Sequence, residues 1–226
     1  MASGRRRLMA QLDSTLSILF ICGMFKAINA VQVQVSLNEI EPKVWRRLVL
    51  PSHWNLEQLH LAIQAAFNWW NYHLHEFSIG GLRYGDVELL TEDAFDDDPR
   101  VFDFREVRLR DFEQGATFSY LYDFGDSWQH NVVVEEFFAF DTPPKFGSSI
   151  DGARARPPED VGGVSGYERF LEIMADDEDP EHIDTKRWCG GHFDPEWFDL
   201  AVVDKDVRNA LRPGVKRRLH QPKSKR

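Results

Sequence analysis

At 226 residues, with 42% hydrophobic and 13% aromatic content, the chain can bury one sizeable core, and its seven Trp and 17 Phe remove any need for disulfide or metal staples. Two cysteines, Cys22 and Cys189, exclude a disulfide framework and fit a reducing compartment, so the cytoplasm is the expected location. The net charge of −10 is uneven: residues 31–211 carry 36 acidic against 16 basic side chains, a balance that repels phosphate backbones.

In chain order, residues 1–30 form an N-terminal extension. Arg5-Arg6-Arg7, an apolar run from Leu16 to Phe25 and a small residue at Ala30 outline a secretory signal. The run is too short to span a bilayer, so no membrane span is expected. The simpler reading starts translation at Met24; export is the alternative. From Val31 to Leu37 apolar residues alternate with Gln32, Gln34 and Ser36, the period of a strand with one buried face. A turn at Glu41-Pro42 leads to a second strand, Val44 to Leu50, where Arg46 and Arg47 with Lys43 make a small solvated basic edge. Asn55 and Gln58 predict a capping box, and Leu56, Leu59, Ile63, Ala66, Phe67 and Trp70 follow as one helical stripe laid on the sheet.

His73, His75, Phe77 and Ile79 share one side of a predicted third strand, and residues 86–98 read as an acidic loop. Phe118, Tyr120, Tyr122 and Phe124 alternate along the first arm of an aromatic hairpin, which Gly125-Asp126 turns into Trp128 to Phe140, with Gly125 taking the positive φ. Residues 141–166 read as a Pro- and Gly-rich loop. Ser165 and Glu168 predict the capping box of a helix with Tyr167, Phe170, Leu171 and Met174 on its buried stripe. Asp194-Pro195 predicts the start of a short helix carrying Trp197, Phe198 and Ala201, and a last one is expected over about 204–211. Residues 212–226, with Lys216, Arg217 and Arg218, form a basic tail without apolar periodicity.

Several segments together resemble the Ri-plasmid ORF-three-like family over about residues 31–211. They are Val44-Trp45-Arg46-Arg47, Leu59-His60 with Trp69, His73-Leu74-His75-Glu76-Phe77, the run from Tyr120 to His130, Pro157-Pro158-Glu159-Asp160, Gly162-Gly163 and Gly166-Tyr167. The resemblance implies a compact α+β domain, helices packed on an antiparallel or mixed sheet built from hairpins, and no established activity. Relatives occur on plasmids, in bacterial genomes and as insertion-sequence passengers, some labelled resolvase-like. Family members often carry cysteines where this chain has Arg156 and Val161, which argues against cysteine-based metal or redox chemistry here.

Asp123-Phe124-Gly125 copies three letters of the kinase magnesium motif, but the glycine-rich loop, strand lysine and catalytic loop are absent. Recombinase chemistry needs a basic catalytic cluster that a body of net −20 does not offer. The remaining candidates are His73, His75, Asp123, Asp126 and His130 as metal ligands, and Glu159, Asp160, Gly162, Gly163 and Tyr167 as a loop motif. Two histidines one residue apart on a strand can face one ion, and a metal-bound water would then serve a hydrolase or nuclease. Against this stands the plainer role of histidines hydrogen-bonded around core aromatics. The leading expectation is a non-enzymatic accessory or adaptor protein that binds a protein partner and needs no cofactor. The alternatives are a divalent-metal hydrolase or nuclease and weak DNA contact through the basic tail alone.

Overall fold

The hairpin of β1 (Ala30–Leu37) and β2 (Trp45–Pro51) pairs Val31 with Leu50 and Val35 with Arg46, and Val31, Val33, Val35, Leu48 and Leu50 are all buried on one face. The computed structural model describes residues 27–92, 99–214 and 221. Around the hairpin an eight-stranded sheet runs β5-β4-β3-β6-β7-β1-β2-β8, with β3 (His75–Ile79), β4 (Leu82–Gly85), β5 (Val101–Asp103), β6 (Thr117–Tyr122), β7 (Trp128–Phe138) and β8 (Ser148–Ala153). Every pairing is antiparallel except β4 with β5, so the fold is α+β with a mixed sheet.

The helix α1 (Leu56–Phe67) covers the buried face. Asn55 accepts from the Gln58 amide while the Gln58 side chain accepts from the Asn55 amide, the reciprocal cap that the sequence predicts. Leu56, Leu59, Ile63, Ala66 and Phe67 reach the core, but the helix ends at Phe67 with Asn68 in the left-handed region (φ 61°). Trp70 is therefore not on the stripe. It stands exposed, and Trp69 takes the buried place.

The opposite face of the sheet is polar. A bulge in the β1–β7 pairing passes over Glu135, whose carboxylate receives Arg47 Nε and Nη2 at 2.7 and 2.9 Å and Gln32 at 2.8 Å. Arg46, one residue away, points inward instead of joining a basic edge. Its guanidinium donates to the carbonyls of Trp45, Ala66, Ala153 and Arg154 and lies between the rings of Phe67 and Phe198. Burial lowers its pKa to about 9.

Later segments depart from the sequence reading. The loop over 86–98 contains a short helix, α2 (Val87–Thr91), capped by Asp86; residues 93–98 lie outside the described residues. Within 141–166 lies β8, which the polar sequence Ser148-Ser149-Ile150-Asp151-Gly152-Ala153 does not announce because it pairs at an edge. The helix α3 (Gly163–Ala175) starts two residues before Ser165, from a left-handed Gly162 and without a side-chain cap, so the expected box does not form. A helix α4 (His182–Trp188), unannounced by periodicity, packs beside α3. The two short helices expected near the end are one, α5 (Leu200–Arg208), capped by Asp199 rather than Asp194, and it packs on β8 and α1.

The aromatic hairpin β6–β7 carries Phe118, Tyr120, Tyr122 and Trp128 into the core, while Phe124 in the turn is exposed. Gly125 does not have positive φ; Asp123 (61°) and Ser127 (56°) do. His130 is fully buried within this hairpin. Its Nδ1 faces the carbonyl oxygens of Trp128 at 2.9 Å and Tyr120 at 3.3 Å, so Nδ1 carries the proton and Nε2 accepts from the Trp69 indole at 3.3 Å. Burial pushes its pKa down to about 4.

Two outcomes follow. Arg46→Met strips four carbonyls, two of them in buried contacts, of a donor and should cost about 2–4 kcal/mol in urea unfolding. Arg47→Met, which breaks a half-exposed pair, should cost about 1 kcal/mol or less; equal losses would contradict the buried role of Arg46. Because the His130 pKa in the folded state lies below its ordinary value, the unfolded chain takes up this proton first. The stability it contributes is complete above about pH 6.5 and is lost as pH falls towards 4, by at most about 3 kcal/mol at ~1.4 kcal/mol per unit. Urea titrations between pH 7.5 and 4.5 should show a shallower acid slope for His130→Gln than for the parent chain.

Candidate functional site

Three connections meet at the end of β3, β6 and α1. The first runs from Asn68 to Leu74. After the left-handed Asn68 the chain turns again at Asn71 (φ 57°), sinking Trp69 and leaving Trp70, Tyr72 and Leu74 outward. The second is the β6–β7 turn, where the Asp123 amide donates to the Leu74 carbonyl at 2.9 Å. The Asp123 Oδ1 atom accepts from the amides of Gly125 and Asp126 at 3.0 and 3.3 Å, which folds the turn around its own carboxylate. The third runs from Ala155 to Gly163 and brings Arg156, Glu159 and Asp160.

Arg156 fixes this third connection. Its buried guanidinium donates to the carbonyls of Pro157 and Asn68 at 2.6 and 3.0 Å and lies over the Trp69 ring at 4.6 Å. Burial lowers its pKa to about 10. Glu159, also buried, accepts from the Trp70 amide at 2.6 Å and stands 3.8 Å from Arg156. Burial raises its pKa, and Arg156 offsets part of the rise. Beside it the Tyr122 and Tyr72 phenols are both pushed up, chiefly by burial, and Tyr72 further by its 2.6 Å hydrogen bond to Asp160 Oδ2.

His73 occupies the gap between the connections. Its Nε2 lies 3.3 Å from Asp123 Oδ2 and 3.2 Å from Asp160 Oδ1, with a ring face 4.2 Å from Tyr72 and an edge towards Tyr122. One nitrogen and one oxygen from each carboxylate, all within 4.8 Å of one another, form a set with the chemistry of a divalent-metal site.

A cleft of about 480 Å³ opens on the other side of His73, between α1, the Asn71–His75 segment, α2 and Phe104. On its floor His75 stacks on His60 at 3.4 Å with 5° between the rings. His60 is held at Nδ1 by the Tyr120 hydroxyl and at Nε2 by Asn71 Oδ1, both at 2.7 Å. The His75 Nε2 atom is buried without a hydrogen bond, and burial takes its pKa down to about 4, so this ring is neutral.

The structure thus distributes the residues singled out from sequence. His73 and Asp123 come together, joined by Asp160. His75 does not share their side, because β3 begins only at His75 and the irregular backbone at His73 breaks the strand alternation. Asp126 turns away to accept from the Gly162 amide at 3.2 Å, and His130 sits in the core beneath Trp69. Gly163 packs on the Asp126 backbone so closely that a Cβ would lie 2.6 Å from its carbonyl oxygen. Tyr167 packs against Phe170 and Phe193 in the core. Lys216, Arg217 and Arg218 lie outside the described residues. Sequence reasoning missed Tyr72, Asn71 and the function of Arg156, which no periodicity marks; His60, four residues after Leu56 on the buried stripe, was visible as a polar intrusion.

The chain matches the family described as plasmid pRiA4b ORF-3-like protein over residues 29–202. It is 38% identical over 187 residues to the uncharacterised protein y4hQ of Sinorhizobium fredii, covering 79% of this chain and 91% of the relative. It is also similar to the crystal structure of a protein of unknown function from Methanosarcina mazei Go1, with a TM-score of 0.67, 36% identity, and coverage of 80% of this chain and 98% of that one. Among the described residues no helix is long and apolar enough to cross a membrane. The chain belongs to the plasmid pRiA4b ORF-3-like family.

Proposed function

We propose that this family member is an accessory protein that binds another protein through the cleft beside His73, and that the occupant is a basic segment with an apolar anchor. The observation that carries the reading is the composition of the cleft rim. Tyr72, Leu74 and Leu89 are 51%, 43% and 54% exposed around one opening, an apolar cluster that water does not favour and a partner would cover.

Charge selects the partner's chemistry. Glu57 and Asp86 line the cleft and neither Lys nor Arg does. Arg105 reaches Asp86 only at 3.9 Å and is turned to Asp103 at 2.9 Å. The neutral His75 ring on the floor adds no positive charge, and the whole body is acidic, so long-range steering favours a basic partner. His75 stacks on His60 and His130 packs against Trp69, so the two do not join His73 in one histidine cluster, and this supports the binding reading. An accessory role beside a mobile-element protein is the setting the family resemblance implies.

The test is selection of a random phage-displayed peptide library on the full chain, followed by affinity measurement of the enriched peptides. Enriched sequences should combine Lys or Arg with a Leu, Phe or Met. Their affinity should fall about tenfold or more with Leu89→Asp or Glu57→Lys, consistent with an anchor and a close charge pair. It should be unchanged by Ile183→Ser on the distant α4. Peptides without positive charge, or binding indifferent to both cleft substitutions, would refute the proposal.

A further inference from the structure

The geometry points to a binding site for one zinc-type divalent cation formed by His73 Nε2, Asp123 Oδ2 and Asp160 Oδ1. The site shares His73 with the cleft wall and stands whether or not the peptide-binding reading holds. The first ground is distance. A charge-assisted N–H···O bond is about 2.7–2.9 Å long, whereas both carboxylate oxygens stand 3.2–3.3 Å from the imidazole nitrogen. The buried Nε2 makes no hydrogen bond to either. On a tetrahedral ion with bonds of about 2.0–2.1 Å, ligand atoms are about 3.3–3.4 Å apart. The contacts that are too long for a good hydrogen bond are those of ligands sharing an ion.

The second ground is how each carboxylate is held. Asp123 uses Oδ1 to accept two backbone amides, and Asp160 uses Oδ2 to accept the Tyr72 hydroxyl. Each leaves its other oxygen facing the ring nitrogen, the arrangement by which outer hydrogen bonds orient metal ligands. Asp123 is itself buried, its side chain only 8% exposed, which limits the water that its Oδ2 can meet. Asp160, by contrast, has a side chain 60% exposed, which leaves the site open to solvent and to entry of an ion. Two carboxylates and one imidazole supply two negative charges, matching a dication.

Zinc chloride titrated into the chelator-stripped full chain, with calorimetry for affinity and native mass spectrometry for stoichiometry, tests the site. One zinc per chain is expected. Asp160→Asn keeps an acceptor for Tyr72 and lies on the surface, so it should fold and yet weaken zinc by tenfold or more; His73→Ala should do the same. Circular dichroism establishes that both variants fold. His182→Ala, which removes a separate His182–Asp177 contact, should leave the affinity unchanged. Absence of stoichiometric zinc in the parent chain, zinc held as tightly by both folded site variants, or displacement by equimolar magnesium would each overturn the assignment.

Discussion

Two guanidinium groups buried at the C-terminal end of α1 set the arrangement on which the site depends. Arg46 donates to Ala66 and Arg156 to Asn68, so the helix end, where carbonyls lack intrahelical partners and the dipole is negative, is met by positive donors from two other parts of the chain. The same two side chains hold the carbonyls of Ala153, Arg154 and Pro157, which fastens the segment after β8 onto the helix. Burying such charges costs several kcal/mol each, and the carbonyls and the rings of Phe67, Phe198 and Trp69 return part of that. What the pair determines is position: with Arg156 locked, Glu159 meets the Trp70 amide and Asp160 comes opposite His73.

In this chain the third connection is tied down by hydrogen bonds from the planar guanidinium group of Arg156. Five donors suit a segment that must be fastened to a helix end and to its own backbone together. Val161, later in the same connection, packs as a partly buried hydrophobic residue against the core.

The parts of the fold that alternate or repeat were legible from the residues. Val31 to Leu37, Phe118 to Tyr122 and the Asn55–Gln58 cap are local patterns, and local patterns survive folding when the surroundings agree with them. Most of the failures share one cause. Arg46, β8 and the start of α3 are each decided by a partner distant in sequence: a helix end, β2, and the backbone of Asp126. The helix α5 starts at its own Asp199 cap, and α1 and β8, far away in sequence, receive it. The candidate site was half visible for the same reason. His73 and Asp123 stand out as residue types, but their meeting with Asp160 depends on irregular backbone that breaks the period-two rule just where His73 and His75 were expected to agree.

That irregularity has its own logic. Of the non-glycine residues with positive φ, Asn68, Asn71, Asp123, Ser127 and Asp160 cluster at this corner of the molecule. Asn and Asp tolerate the left-handed region better than other L-residues, since a short polar side chain can hydrogen-bond locally, as Asp123 does with Gly125 and Asp126. Glycine would relieve the backbone further but would bring no carboxylate. Asp123 and Asp160 can therefore turn the chain sharply and each leave an oxygen facing His73. Three tight turns, each too short to hold an ordered site alone, are made rigid by tying every one of them to its neighbour: Asp123 to Leu74, Tyr72 to Asp160, and Asp126 to Gly162.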